Sequence, residues 1–225
     1  MQYEYIRDGL PHFHHIGGTF AVTTQLVDAI PKTILKSVQE EYQEKLSRLR
    51  TNLSKKSESA IWQLQKEYES QFERLLNAHY QQEHLLQLPQ AATIVAQRIL
   101  QYNEQYYRCE AFSIMSNHIH LLLDFSLQIP PNHPKGKFLK GYKNLEEVMR
   151  LIKGGSAFQI NKVIGRKGPV WRSGYYNRYI RHERHWKSAY WYILNNPVKA
   201  GLVQRWQDHP FTYAAEGSYA RLSRL

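Results

Sequence analysis

The sequence predicts an α+β fold: a ferredoxin-like antiparallel sheet with helices on one face, carrying an inserted helical arm and an added C-terminal helix. Three observations carry that prediction. The right half of the stretch 115–124 is an apolar run free of Gly and Pro, the pattern of a strand buried on both faces. A second strand-like stretch, 107–115, precedes it with almost no turn, so the two pair as an antiparallel hairpin. The remaining strand-like stretches, at 19–27 and 170–180, are separated from that hairpin by helical patterns, so their connections cross over.

Residues 1–18 hold His12, His14 and His15 followed by Gly17-Gly18, and read as a mobile polar lead-in, with a metal-binding cluster as the alternative. The stretch 19–27 is rich in β-branched residues and forms the first strand, ended by Asp28 to Pro31. From about 32 to 86 the period changes. Leu35, Val38, Tyr42, Leu46, Leu49 and Leu53 recur at steps of three and four, as do Ile61, Leu64, Tyr68, Phe72 and Leu75. These are amphipathic helices with a coiled-coil-like seam. The polar stretch 52–59 either turns the chain into a helical hairpin or is crossed by one long helix. Charge in this segment is nearly balanced, 9 Lys+Arg against 8 Asp+Glu, which suits a self-packing or partner-facing arm better than a DNA clamp.

Pro89 breaks the arm pattern, and 91–105 forms the next helix, with Ile94, Val95, Ile99 and Leu100 as its apolar face. Residues 126–142 are a Pro- and Gly-rich loop. Asn144 caps a helix running to about 164, with Leu145, Val148, Met149 and Ile152 inward and Lys153 and Lys162 on its outer side. A turn at 165–168 leads to the fourth strand, 170–180. His182 or Glu183 opens a last helix that ends before Pro197, and the tail from Asp208 shows little pattern.

With 225 residues the chain reads as one domain, 1–225, with the insertion at about 32–86 and a basic part at 126–225. Its single cysteine, Cys109, excludes an internal disulfide and suits a reducing compartment. The polar N-terminus lacks a signal-peptide core, and no apolar run reaches membrane-spanning length. A soluble, cytoplasmic protein without a membrane partner is therefore expected. The net charge of +11 is unevenly placed: residues 126–225 hold 18 Lys+Arg against 5 Asp+Glu, while residues 1–125 hold 12 against 14. Four of the five tryptophans lie in the basic part. Cations interleaved with aromatic rings suit single-stranded nucleic acid, where phosphates meet Lys and Arg and bases stack on rings. A basic surface kept for solubility is the alternative.

Within 118–125, residues two apart project to the same side, so His118 and His120 point together and Ile119 points away. Two imidazoles side by side on a strand are the start of a metal site; two core histidines, each with a hydrogen-bond partner, are the alternative. In the last helix Tyr192 and Asn196 are four apart and share a face, as ordinary helix surface also would.

These pieces together resemble a known family. Residues 115–123, Met-Ser-Asn-His-Ile-His-Leu-Leu-Leu, resemble the HUH motif of single-tyrosine transposases, in which two histidines flank a hydrophobic residue. Trp171, the stretch 175–181 and the stretch 192–203 look like the C-terminal signature of the REP-associated tyrosine transposases, and Leu10 to His14 with 20–26 look like that branch's opening. The resemblance covers roughly 10–36 and 90–205 and leaves the arm unmatched. Many members of the wider family carry Gln where this chain has Asn196, and Asn there points to the REP-associated branch.

By that resemblance the sheet is an HUH fold with a C-terminal catalytic helix. Tyr192 is the nucleophile, and His118, His120 and Asn196 ligate a divalent ion, Mg²⁺ or Mn²⁺. The implied activity is nicking and rejoining of hairpin-containing single-stranded DNA through a 5′-phosphotyrosine. Lys153, Arg172, Arg178 and Lys199 are the candidates for phosphate contacts, and Trp171 and Tyr176 for base stacking, with packing or solvent exposure as the alternative for each. A homodimer is left open. Three other functions remain in view: a non-catalytic nucleic-acid-binding protein that keeps the fold, an initiator-type nickase of replication or conjugation, and a phosphoesterase that uses water.

Overall fold

The computed structural model describes residues 3–7, 10–50, 55–79, 82–134 and 139–222. In chain order the elements are β1 (Tyr3–Arg7), β2 (Leu10–His14), β3 (Thr19–Gln25), α1 (Lys32–Arg50), α2 (Lys55–His79), α3 (Pro89–Gln101), β4 (Arg108–Ile114), β5 (His118–Asp124), α4 (Leu145–Ile164), β6 (Tyr176–Tyr179), α5 (Glu183–Leu194), α6 (Asn196–Lys199), β7 (Thr212–Ala214) and α7 (Glu216–Leu222). The fold is α+β around a five-stranded antiparallel sheet of order β6-β3-β5-β4-β7.

β5 lies at the centre of that sheet, and its composition follows from the position. Ile119, Leu121 and Leu123 enter the main core with Phe20 and Val22 of β3 and Phe112 and Ile114 of β4. Val95 and Ile99 of α3 and Val148 and Ile152 of α4 close that side. The alternate residues, His118, His120 and Leu122, face the other way. There Leu122 and Ala111 pack under α5 against Ala189, Ile193 and Leu194. Full burial of a leucine such as Leu122 contributes about 1.5–3 kcal/mol. A strand covered on both faces needs apolar residues at every position, and the two histidines are the exception that calls for explanation.

Several elements differ from the sequence expectation. The expected mobile lead-in instead forms the antiparallel hairpin β1–β2, which places His12 and His14 in a strand. Pro89 does not end a helix but starts α3, at a position where the missing N–H has no intrahelical partner to lose. The fourth strand is confined to Tyr176–Tyr179, and Trp171 makes only an isolated bridge to Leu26. Between them Gly174, at φ 71°, turns the chain out of the extended conformation. Lys153 Nζ donates to the carbonyls of Arg172 and Gly174, supplying what a strand neighbour would. The tail folds: β7 pairs with the free edge of β4, and α7 follows. A three-residue strand is too short to show a period.

Other elements agree. Asn144 caps α4 through a capping box with Glu147. α1 and α2 meet through Val38, Tyr42, Leu46, Leu64 and Tyr68, with the rings of Tyr42 and Tyr68 stacked at 4.3 Å. Residues 51–54, part of the stretch where the sequence leaves a turn or a continuous helix open, lie outside the described residues. The C-terminal half of α2 is not peripheral. Phe72 and Leu76 are buried in the main core, which brings that end of the arm against the sheet.

Candidate active site

The histidine face of β5 gathers side chains from four segments. Strand register sets Thr23 directly opposite His120 and Gln25 opposite His118. His118, His120 and Asn196 are buried. Tyr192, on the last turn of α5, sets its ring edge-on to His120, with centroids 5.3 Å apart at 85°. α5 ends at Leu194, and Asn196 opens the short α6, yet Asn196 still points inward, its Nδ2 3.1 Å from His120 Nε2. The structure thus brings together Tyr192, His118, His120 and Asn196.

Hydrogen bonding determines how the two imidazoles present themselves. Asn117 donates from Nδ2 to the carbonyls of Leu76, at 3.0 Å, and Ala29, at 3.4 Å. That orients its amide, so Oδ1 faces His118 Nδ1 at 2.7 Å and Nδ1 must carry the proton. On the other ring, Thr23 donates its single hydroxyl proton to Glu73 Oε1 at 3.2 Å, so its oxygen accepts from His120 Nδ1 at 2.9 Å. Both rings therefore turn an Nε2 lone pair inward, and these two atoms lie 3.0 Å apart. Two facing acceptors at that distance repel unless a positive charge lies beside both. Burial lowers the pKa of both imidazoles, His118 well below the usual histidine value, so the rings are held neutral and able to ligate.

The donor set fits a divalent cation. Asn196 Oδ1 is buried without a hydrogen-bond partner, and reversal of its amide turns this acceptor toward His120. Glu73 of α2, with Oε2 3.6 Å from His120 Nε2, joins the two histidines in a group whose ligand atoms all lie within 4.8 Å of one another. This group could hold a metal ion. Two imidazoles with oxygen donors suit Mn²⁺ well and Mg²⁺ less so.

The Tyr192 hydroxyl donates to Glu73 Oε2 at 2.8 Å. Burial, then the Glu73 charge, raises the phenol's pKa, so Tyr192 is protonated in this arrangement. Lys199 Nζ lies 4.7 Å from the ring centroid. Beside Tyr192 is a cavity of about 370 Å³ between α2, β3, β6 and α5, lined by Glu69, Glu73, His120, Tyr176, Arg178 and Tyr192 among others.

Of the other residues singled out from the sequence, Tyr176 and Arg178 line this cavity, Lys199 lies over the Tyr192 ring, and Trp171, Lys153 and Arg172 do not line it. Arg178 and Lys199 are exposed next to this cavity and to Tyr192. Trp171 is buried, its indole N–H donating to Ser156 Oγ at 2.9 Å. Tyr176 packs against Phe72, with ring centroids 4.3 Å apart. Lys153 is spent on the two carbonyls described above, and Arg172 is half-buried, its backbone N–H on the Gln25 carbonyl. Three site residues had no role assigned from sequence: Glu73, Thr23 and Asn117. Glu73 looks like any other acid of an amphipathic arm. Thr23 could be found only from the pairing register of β3. Asn117 lies inside the histidine motif and carried a detectable signal, an amide next to the first histidine.

No family model matches the chain. By sequence, about half of the chain is similar to a curated relative. The relative is the "Putative REP-associated tyrosine transposase" of Haemophilus influenzae, 28% identical over 102 residues, which are 45% of this chain and 56% of that protein. The match thus spans about half the length of each. A solved structure of a REP-associated tyrosine transposase bound to a REP hairpin superposes over 93% of this chain and 81% of that one, with a TM-score of 0.48 and 18% identity. Among the described residues no helix is long and apolar enough to cross a membrane.

Proposed function

We propose that this chain is a metal-dependent transesterase of single-stranded DNA with an HUH fold, which nicks and rejoins hairpin-containing strands through Tyr192. The observation that carries this reading is the convergence of Tyr192 on His118 and His120 from a helix more than seventy residues away in sequence. The likeness of its motifs and sequence to REP-associated tyrosine transposases supports it, and the hairpin substrate rests on that likeness alone.

His118, His120 and Asn196 would hold the cation, with Glu73 beside them. When bound, a divalent cation supplies charge neutralisation at a non-bridging phosphate oxygen and orients the bond for in-line displacement. Tyr192 supplies the nucleophilic oxygen. It attacks phosphorus, the bond to the 3′ oxygen breaks, and the downstream strand is left as a 5′-phosphotyrosine. The phenol proton ends on the departing 3′ oxygen. A second 3′-hydroxyl reverses the step, so bond energy is conserved and no nucleotide cofactor is needed. Thr23 and Asn117 keep the imidazoles in the ligating tautomer. Arg178 and Lys199 sit where the phosphates of a strand beside Tyr192 would pass. The single-domain organisation over 1–225, with the arm as an insertion, belongs to the same proposal.

The test uses a single-stranded hairpin labelled at its 3′ end. With Mn²⁺ the label should migrate with the protein on a denaturing gel, and with a chelator it should not. Binding without any adduct would favour a nucleic-acid-binding module, and free cleaved product would favour hydrolysis by water.

A further inference from the structure

We propose that α2 is part of the cation site: Glu73 is the anionic ligand that completes the pair His118 and His120, so that binding a divalent cation clamps the arm over Tyr192. This rests on the reading of the two histidines as cation ligands. It adds to that reading a residue from a segment that none of the sequence motifs includes.

Geometry is the first argument. Neighbouring ligands of an octahedral ion bound at about 2.1 Å lie about 3 Å apart. His118 Nε2 and His120 Nε2 are 3.0 Å apart, and Glu73 Oε2 is 3.6 Å from His120 Nε2. The two imidazoles are spaced as neighbouring ligands of one ion, Glu73 Oε2 is 0.6 Å wider than that from His120 Nε2, and the ligand atoms of all three residues lie within 4.8 Å of one another.

Charge is the second. The Glu73 side chain is only 24% exposed, and among the described residues no Lys or Arg lies within ion-pair distance of it. Its partners are two hydroxyls, of Thr23 and Tyr192, and an imidazole. A mostly buried carboxylate without a counter-charge is costly, and a cation between it and the imidazoles removes that cost. Hard divalent ions also favour carboxylate oxygen over amide oxygen, so Glu73 supplies what Asn196 cannot.

Placement is the third. Phe72 and Leu76 flank Glu73 on α2, are buried in the main core, and the Leu76 carbonyl accepts from Asn117. The helix is therefore fixed against the sheet by the same asparagine that orients His118. Because Glu73 also accepts from Tyr192, the cation, the nucleophile and the arm share one carboxylate.

The experiment titrates Mn²⁺ into the full chain by calorimetry, for the natural protein and for Glu73→Gln and Glu73→Asp. It is paired with hydrogen exchange of α2 with and without Mn²⁺. Glu73→Gln should weaken Mn²⁺ binding at least about tenfold, and Glu73→Asp, which keeps the charge on a shorter stem, should weaken it less. Mn²⁺ should slow exchange along 68–76 in the natural protein and leave it unchanged in Glu73→Gln. The circular dichroism of each variant checks that it is folded. Mn²⁺ affinity unaltered in Glu73→Gln, or α2 exchange indifferent to Mn²⁺, overturns the inference. In that case a natural protein that still forms the Tyr192 adduct leaves the transesterase reading standing. No Mn²⁺ uptake by the natural protein overturns both.

Discussion

His118 and His120 present their Nε2 atoms to each other at 3.0 Å, each ring having committed its other nitrogen to a fixed acceptor. For His118 that acceptor is Asn117, whose amide also serves two backbone carbonyls. Asn117→Ala should therefore act on stability and on the site together. It leaves an imidazole N–H and the Leu76 and Ala29 carbonyls without their partner in a dry interior, a loss of about 1–3 kcal/mol. Urea unfolding reads that loss, and Mn²⁺ titration of the folded variant should show affinity about 10–100-fold lower.

Stability should depend on pH in a direction fixed by burial. Burial lowers the pKa of both imidazoles in the folded chain, His118 well below the usual histidine value. Unfolded histidine takes up a proton below about pH 6.5, while the buried rings resist it. The contribution is thus complete above that pH and is lost as pH falls below it, at up to about 1.4 kcal/mol per pH unit per histidine. Denaturant unfolding between pH 7.5 and 5, with a chelator present, should show this decline. His118→Asn should make it shallower.

Lys66 and Arg178 line the cavity beside Tyr192, and Lys199 lies over the Tyr192 ring. Arg178→Ala and Lys199→Ala should each weaken binding of single-stranded hairpin DNA. Each should lower the slope of log affinity against log salt by about 0.7–1. Fluorescence anisotropy across a salt series measures both effects.

How much of this was legible in the sequence depended on the range of the signal. Alternation along β5 showed that His118 and His120 share a face, because a strand's period of two is rigid. The spacing of Tyr192 and Asn196 also led to the right neighbourhood. The helix breaks between them at Asn195, but α6 continues the turn closely enough to keep Asn196 at His120. Aromatic residues among cations look alike in sequence whether they pack or bind, so Trp171 and Tyr176 stand equally there as stacking candidates. That Trp171 is buried on Ser156 while the half-buried Tyr176 meets Phe72 and lines the cavity beside Tyr192 is a tertiary fact. Glu73 was illegible for the same reason. The role proposed for it depends on α2 being docked so that a position beside Phe72 meets β5.

In the proposed reaction the phenol oxygen of Tyr192 is the atom that attacks phosphorus. The most direct measurement compares the natural chain with Tyr192→Phe on a 3′-labelled single-stranded hairpin in Mn²⁺, scoring covalent protein–DNA adduct on a denaturing gel and hairpin binding by anisotropy. Loss of the adduct with binding retained is the predicted result, since the ring still fills its place beside His120 and only the hydroxyl is gone. An adduct formed by Tyr192→Phe at the natural rate would contradict the account and assign the chemistry to another group.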